Sequence, residues 1–365
     1  MPPVSILIKS ASAACNLRCE YCFYRAVSES REQPDFGLMQ TDTLEALVKN
    51  ALQYADGLCS FAFQGGEPTL AGLGFYRQLI EFQQKYNPRG LEIENTIQTN
   101  GILIDDDWAA FLSENNFLVG LSLDGPRKIN DRYRHDTEGS FGRIMGAAGI
   151  LERYKVRFNI LSVITASSGA LHMYRFFRKQ DFRFLQLIPC LADQGGDFSL
   201  KEGDYGRFLT QFFDLWYEDF TGGRDIDIRF FSNLVRMAAG FRPEACGMAG
   251  FCTPYLVVEG DGSVYPCDFY VRPEWKLGTV YEDFQILFSN KKMTEFAAPS
   301  GGVDGKCVSC VHFALCRGGC RRWREPMAGD RLSRSRLCAD YELFFDRCSE
   351  RIYRLAAALF PNRRR

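Results

Sequence analysis

Cys15, Cys19 and Cys22 stand four and three residues apart, with Tyr21 inside the run and Phe23 and Tyr24 directly behind it. Thiols at this spacing are candidate metal ligands, and three of them cannot complete the shell of a cubane 4Fe-4S cluster, whose irons each take one outside ligand. One iron is left for a group that is not protein, and an open iron is a reactive one. A zinc site is the rival reading, although zinc usually draws four ligands from two CxxC-like pairs.

The last third of the chain holds nine more thiols: Cys246, Cys252, Cys267, Cys307, Cys310, Cys316, Cys320, Cys338 and Cys348. Eight ligands fill two cubane clusters, which leaves Cys348 surplus together with Cys59 and Cys190. Closed clusters have no position for substrate, so their work would be electron transfer, and a further electron acceptor implies an oxidation. A structural double-zinc module tolerates similar spacings. Asp268 follows Cys267 directly, where a ligand bond next door would fix its backbone; a carboxylate held that way is a candidate general base.

These residues need elements to position them. Short apolar, β-branched runs at 5–9, 60–64, 92–98, 118–122, 157–164 and 184–188 predict six strands. Stretches with apolar residues three and four apart, at 41–54, 74–85, 106–114, 140–154 and 171–179, predict the helices between them. Strand and helix in alternation predict an α/β fold, an incomplete βα barrel whose chemistry lies where strand ends meet loops. The triad follows strand one, Gln64-Gly65-Gly66-Glu67-Pro68 follows strand two, and Thr99-Asn100-Gly101 and Ser122-Leu123-Asp124-Gly125 close strands three and four. Ordinary turn chemistry explains each singly, but not all of them at the same strand end. Two further helical stretches, 205–220 and 230–241, form a bridge; Phe212, Phe213 and Trp216 in the first predict core. Beyond them Gly260-Asp261-Gly262 turns an alternating hairpin between Cys252 and Cys267.

A length of 365 residues suggests two domains at about 150 residues each. The formal charge of -1 and pI near 6.4 argue against general nucleic-acid or anionic-membrane binding. Arg321, Arg322 and Arg324 and the terminal Arg363, Arg364 and Arg365 form small basic clusters, the terminal three solvated. The start lacks a signal-peptide pattern and no segment is apolar enough for a membrane span, so a cytoplasmic protein is expected. Fourteen cysteines are then metal or redox groups rather than disulfides, with oxygen sensitivity as a consequence.

The triad with its following aromatic resembles the signature of the radical S-adenosylmethionine (SAM) enzymes, and Cys307-x2-Cys310-x5-Cys316-x3-Cys320 with Cys338 resembles their SPASM extension. With the segments 61–70, 120–126 and 265–270, the chain is similar over nearly its whole length to the anaerobic sulfatase-maturating enzymes. The resemblance implies a partial (β/α)6 barrel core over 1–230, a cysteine-rich SPASM domain containing the hairpin over 231–345, and a C-terminal helix and basic tail over 346–365. It implies SAM and three 4Fe-4S clusters: the open one on Cys15, Cys19 and Cys22, a nearer auxiliary one on Cys246, Cys252, Cys267 and Cys320, and an outer one on Cys307, Cys310, Cys316 and Cys338. Tyr21, Gly65, Gly66, Glu67, Ser122, Arg134 and Leu191 would hold SAM, Asp268 would accept a proton, and Tyr24 and Gln64 would touch the peptide. The implied reaction oxidises a cysteine or serine of an unfolded or nascent sulfatase to Cα-formylglycine, in a monomer fed by a flavodoxin or ferredoxin-like donor. A ribosomal-peptide maturase making thioether or carbon-carbon crosslinks is the alternative; such enzymes often carry an N-terminal leader-binding domain, for which a first strand at Ser5 leaves no room.

Overall fold

The computed structural model describes residues 2–191, 196–253, 255–328 and 331–362; Arg363 to Arg365 lie outside the described residues. In chain order the elements are β1 (Val4–Ile8), α1 (Phe23–Glu29), α2 (Thr41–Tyr54), β2 (Leu58–Phe63), α3 (Gly72–Tyr86), β3 (Glu92–Thr99), α4 (Asp106–Glu114), β4 (Leu118–Ser122), α5 (Arg127–Tyr133) and α6 (Phe141–Arg153). There follow β5 (Arg157–Ile164), α7 (Ala170–Lys179), β6 (Phe184–Pro189), α8 (Asp204–Thr221), β7 (Asp227–Ile228), α9 (Arg229–Ala238), β8 (Leu256–Val258), β9 (Ser263–Tyr265), β10 (Gly278–Thr279), several short helical turns, and α10 (Cys338–Leu359). The six expected strands and the helices between them are present, with α2, α4, β4 and β5 at the expected bounds. Helices α1 and α5 escape the sequence reading because seven residues, under two turns, carry too little periodicity.

Two compact units divide the chain. The first comprises Met1–Leu123, Asn130–Asn159 and Pro254–Phe296. Its β1, β2, β3 and β4 are parallel neighbours, in register from Val4↔Cys59 to Ile8↔Phe63 across the first pair. Helix α2 buries Leu44, Leu47, Val48, Ala51 and Leu52, one face at three- and four-residue spacing. The Asp105 carboxylate caps α4 by accepting the Trp108 N–H at 2.9 Å. The hairpin of β8 and β9 extends this sheet on the far edge of β1, with Ile6↔Leu256 and Ile8↔Val258 in parallel register. Leu256, Val257 and Val258 are all buried rather than alternating. A strand inside a sheet covered on both faces takes an unbroken apolar run, and Val27 of α1 packs against Val257 on one of those faces.

The second unit comprises Asp124–Ile129, Ile160–Thr253 and Ala297–Arg365. Within it β5 pairs in parallel with β6 from Ile160↔Leu185 to Ile164↔Pro189, and β6 with β7. The aromatic stripe of α8 is core: Phe212, Phe213 and Trp216 are buried. Phe213 meets Phe231 of α9 at 5.1 Å and Phe344 of α10 at 5.7 Å between ring centres, so three helices share one aromatic cluster. No helix among the described residues is long and apolar enough to cross a membrane.

Candidate functional site

The loop after β1 carries the triad and is held by backbone hydrogen bonds. Arg18 N–H donates to the His135 carbonyl at 3.1 Å and Glu20 N–H to the Tyr133 carbonyl at 3.0 Å, which brings Arg134 beside the cysteines. Glu67 N–H donates to the Ala14 carbonyl at 2.7 Å and draws the glycine turn after β2 onto the same loop. Burial pushes the Cys15 thiol up to about 11; the Leu17 N–H opposes the shift, Glu67 and Cys22 reinforce it, and Arg134 opposes it. Cys22 therefore lies close enough to Cys15 for the two to serve as ligands of one group. Asn100 Nδ2 stands 3.9 Å from Cys15 Sγ and donates to Asn16 Oδ1 at 2.7 Å, fixing the loop from the end of β3.

Gly66 has φ +57°, and a Cβ there would lie 2.8 Å from the Ser12 carbonyl oxygen and against that of Ala14. The close approach that glycine allows is thus, on this side, to the chain's own backbone. The Glu67 carboxylate is buried and accepts from Thr69 N–H at 3.1 Å, Thr69 Oγ1 at 2.6 Å, Thr99 Oγ1 at 2.7 Å and Asn100 N–H at 2.7 Å. Desolvation raises its pKa and these donors lower it. Its side chain ties the end of β2 to that of β3. Tyr21 lies under the Arg134 guanidinium, 5.7 Å from the ring centre, and Ser122 is buried at the end of β4.

Asp268 is buried at the base of the hairpin, and its surroundings are largely residues to which sequence reasoning gave no role. Lys9 Nζ donates to Asp268 Oδ1, Gln64 Nε2 donates to Oδ2 at 3.2 Å, and the Tyr255 hydroxyl accepts the Asp268 N–H at 3.1 Å while lying 3.8 Å from Cys267 Sγ. Behind them Arg31 Nη1 donates to Glu259 Oε1 at 2.8 Å, and the Tyr24 hydroxyl donates to the same oxygen. The available signal was a charge where apolar residues dominate: Lys9 closes the run Ile6-Leu7-Ile8, and Glu259 interrupts a hairpin of Leu and Val.

In the second unit, burial pushes the Cys320 thiol up to about 11, and Cys246 and Cys252 add to the shift. Cys316 is likewise pushed up to about 11 by burial, with Cys338, Cys307 and Cys310 adding to it. Cys338 opens α10, and Cys252 N–H is anchored on Ser300 Oγ at 2.7 Å. Cys246 and Cys252 thus lie near Cys320, and Cys307, Cys310 and Cys338 near Cys316, although among the described residues no three Cys, His, Asp or Glu side chains form a group that could hold a metal ion. Cys267 belongs to the first unit and Leu191 to the second, where Leu191 borders a cavity of about 340 Å³ with Lys201, Glu202, Arg336 and Asp340. Cys59, Cys190 and Cys348, surplus by count, are buried within their units.

The family model of the radical SAM superfamily matches residues 10–166, and that of an iron-sulfur cluster-binding domain, SPASM, matches 251–321. The chain is 47% identical over 98% of its length to the cysteine-type anaerobic sulfatase-maturating enzyme of Clostridium perfringens, covering 99% of that protein. It is 30% identical over 94% of its length to the serine-type enzyme of Bacteroides thetaiotaomicron, covering 89% of it. A solved structure of native anSMEcpe with bound AdoMet and Cp18Cys peptide superposes with a TM-score of 0.93 at 45% identity, over 98% of this chain and 100% of that one.

Proposed function

The chain belongs to the anaerobic sulfatase-maturating enzymes of the radical SAM superfamily, and from that premise we propose that it oxidises a cysteine in an unfolded or nascent sulfatase to Cα-formylglycine, using SAM and three 4Fe-4S clusters. Cys15, Cys19 and Cys22 hold the open cluster, Cys307, Cys310, Cys316 and Cys338 a closed one, and Cys246, Cys252 and Cys320 are among the ligands of the third. Tyr21, Gly65, Gly66, Ser122 and Arg134 hold SAM, with Glu67 bracing the glycine turn. When bound, the open cluster and SAM would supply a 5'-deoxyadenosyl radical for hydrogen abstraction at the target Cβ, and the closed clusters would supply an acceptor for one further electron. The cysteine loses one hydrogen atom, one electron and its thiol proton, which leaves a thioaldehyde; hydrolysis then gives the aldehyde and sulfide. Asp268 accepts the proton, and Gln64 steadies the accepting oxygen. A flavodoxin or ferredoxin-like carrier provides the first electron to a monomeric cytoplasmic enzyme.

The observation that carries this reading is Asp268 itself: a buried carboxylate with a donor fixed on each oxygen, next to a candidate cluster ligand, in a chain matched along 98% of its length by a cysteine-type enzyme. The test is anaerobic. The reconstituted protein should carry about twelve irons, four per cubane, and with SAM and a Cys-x-Pro-x-Arg peptide it should yield a peptide whose thiol is replaced by an aldehyde. Asp268→Asn should lower aldehyde formation by about 100-fold or more, the scale of general base catalysis. An unchanged rate in that variant rejects Asp268 as the acceptor.

A further inference from the structure

Behind Asp268 runs a row of buried polar side chains that the proposed chemistry does not use. The Lys9 ammonium is fully buried, and besides Asp268 Oδ1 it rests 3.7 Å from the centre of the Tyr24 ring. Gly65, with φ +112°, makes room for it: a Cβ there would come within 2.7 Å of Lys9 Nζ and 2.9 Å of Cγ. The lysine is therefore walled by a ring on one side and a glycine backbone on another, and its charge cannot swing to water. Tyr24 is pinned in turn, since its hydroxyl is spent on Glu259 Oε1, the oxygen that also takes Arg31 Nη1. Two cations, Lys9 and Arg31, face two anions, Asp268 and Glu259, so the group is neutral as a whole while each charge is fixed by its partner.

We propose that Lys9 and Glu259 are positioning residues for Asp268: Lys9 occupies Oδ1 so that Oδ2, beside Gln64, is the oxygen that receives the substrate proton, and Glu259 holds the Tyr24 ring that keeps Lys9 in place. This inference rests on Asp268 being the proton acceptor. It gives Tyr24 a role through its ring face rather than through a hydroxyl offered to the peptide. A cation on Oδ1 stops the carboxylate from rotating, and a base held in one orientation meets the substrate thiol in the geometry that proton transfer requires.

The experiment compares reconstituted full-length wild type, Lys9→Met, Asp268→Asn and the double variant, measuring 5'-deoxyadenosine and aldehyde together, with peptide KM and kcat for each product. Lys9→Met should lower kcat for aldehyde about 10-fold or more, with peptide KM within about 2-fold, while 5'-deoxyadenosine continues to form; a merely structural role would lower both products together. In the double variant the loss should be no deeper than in Asp268→Asn alone. If Lys9→Met does not load iron, Lys9→Gln, which still donates one hydrogen bond, gives the same comparison with a smaller loss. Tyr24→Leu should uncouple the two products in the same direction. Lys9 variants that keep the wild-type product ratio, or losses that add in the double variant, overturn the positioning role even where Asp268→Asn is impaired. A wild-type rate in Asp268→Asn instead rejects the acceptor reading on which the proposal stands.

Discussion

At Gly66 two demands meet: a backbone at φ +57°, which side chains rarely adopt, and contact with the carbonyls of Ser12 and Ala14 in the loop that carries the triad. Gly66→Ala cannot satisfy both, and the loop must move. The expected outcome is an iron content lower by about four per chain, one cubane, with loss of SAM binding and retention of the other clusters; iron analysis beside a SAM binding isotherm checks it. Gly74 in α3 is the control. It has an ordinary φ, and no atom lies within 4 Å of an added Cβ. Gly74→Ala should stabilise the fold by up to about 1 kcal/mol through helix propensity and leave iron loading intact. Equal iron loss in both variants would mean that the close approach at Gly66 is not what holds the triad.

Helix α8 starts without a side chain to cap it, because its preceding residue is Gly203. Asp340 on the first turn of α10 does that work from across the pair: its Oδ1 accepts the Gly206 N–H at 2.9 Å, and Gly206 lets the helices approach so closely that a Cβ would stand 2.9 Å from Asp340 Cα. Asp340→Ala should cost about 1 kcal/mol as a lost cap, and Gly206→Ala more, because backbone has to give way. Thermal melts of the iron-free chain order the two, and the reverse order would show that the cap dominates the contact. Cys338 lies two residues before Asp340, so Gly206→Ala should also slow iron uptake by Cys307, Cys310, Cys316 and Cys338. Elements such as α8 are legible in the sequence because their apolar spacing is local and long. The partner of β1 on its far edge is not: Ile6 meets Leu256 across most of the chain, and no local period announces a contact of that length. Lys9 and Glu259 were missed for a related reason. A charged residue is first read as solvated, and only the fold shows that each is sealed against an opposite charge.

Taken whole, the molecule must choose between a thiol and a hydroxyl, and every motif in the sequence is compatible with either. In the proposed reaction the triad, the glycine turn, the SPASM thiols and Asp268 would serve the removal of a hydrogen atom, an electron and a proton, and both substrates would need all three removed. What differs is the proton: a cysteine thiol titrates near 8.5, whereas a serine hydroxyl is a far weaker acid and asks more of the acceptor. Asp268, with the Lys9 ammonium on Oδ1 and Gln64 on Oδ2, meets either substrate in one orientation, so the more acidic thiol gives up its proton to it the more readily. Similarity points the same way, at 47% identity to a cysteine-type enzyme against 30% to a serine-type one. Two peptides differing only in cysteine or serine at the target position should therefore differ in kcat/KM by about 10-fold or more in favour of cysteine, a gap of at least about 1.4 kcal/mol in transition-state binding. Sulfide should accompany the aldehyde in step with it from cysteine and be absent from serine. Equal kcat/KM for the two peptides would mean that the thiol's acidity is not what the Asp268 site exploits, and that selection lies in how the peptide backbone is held.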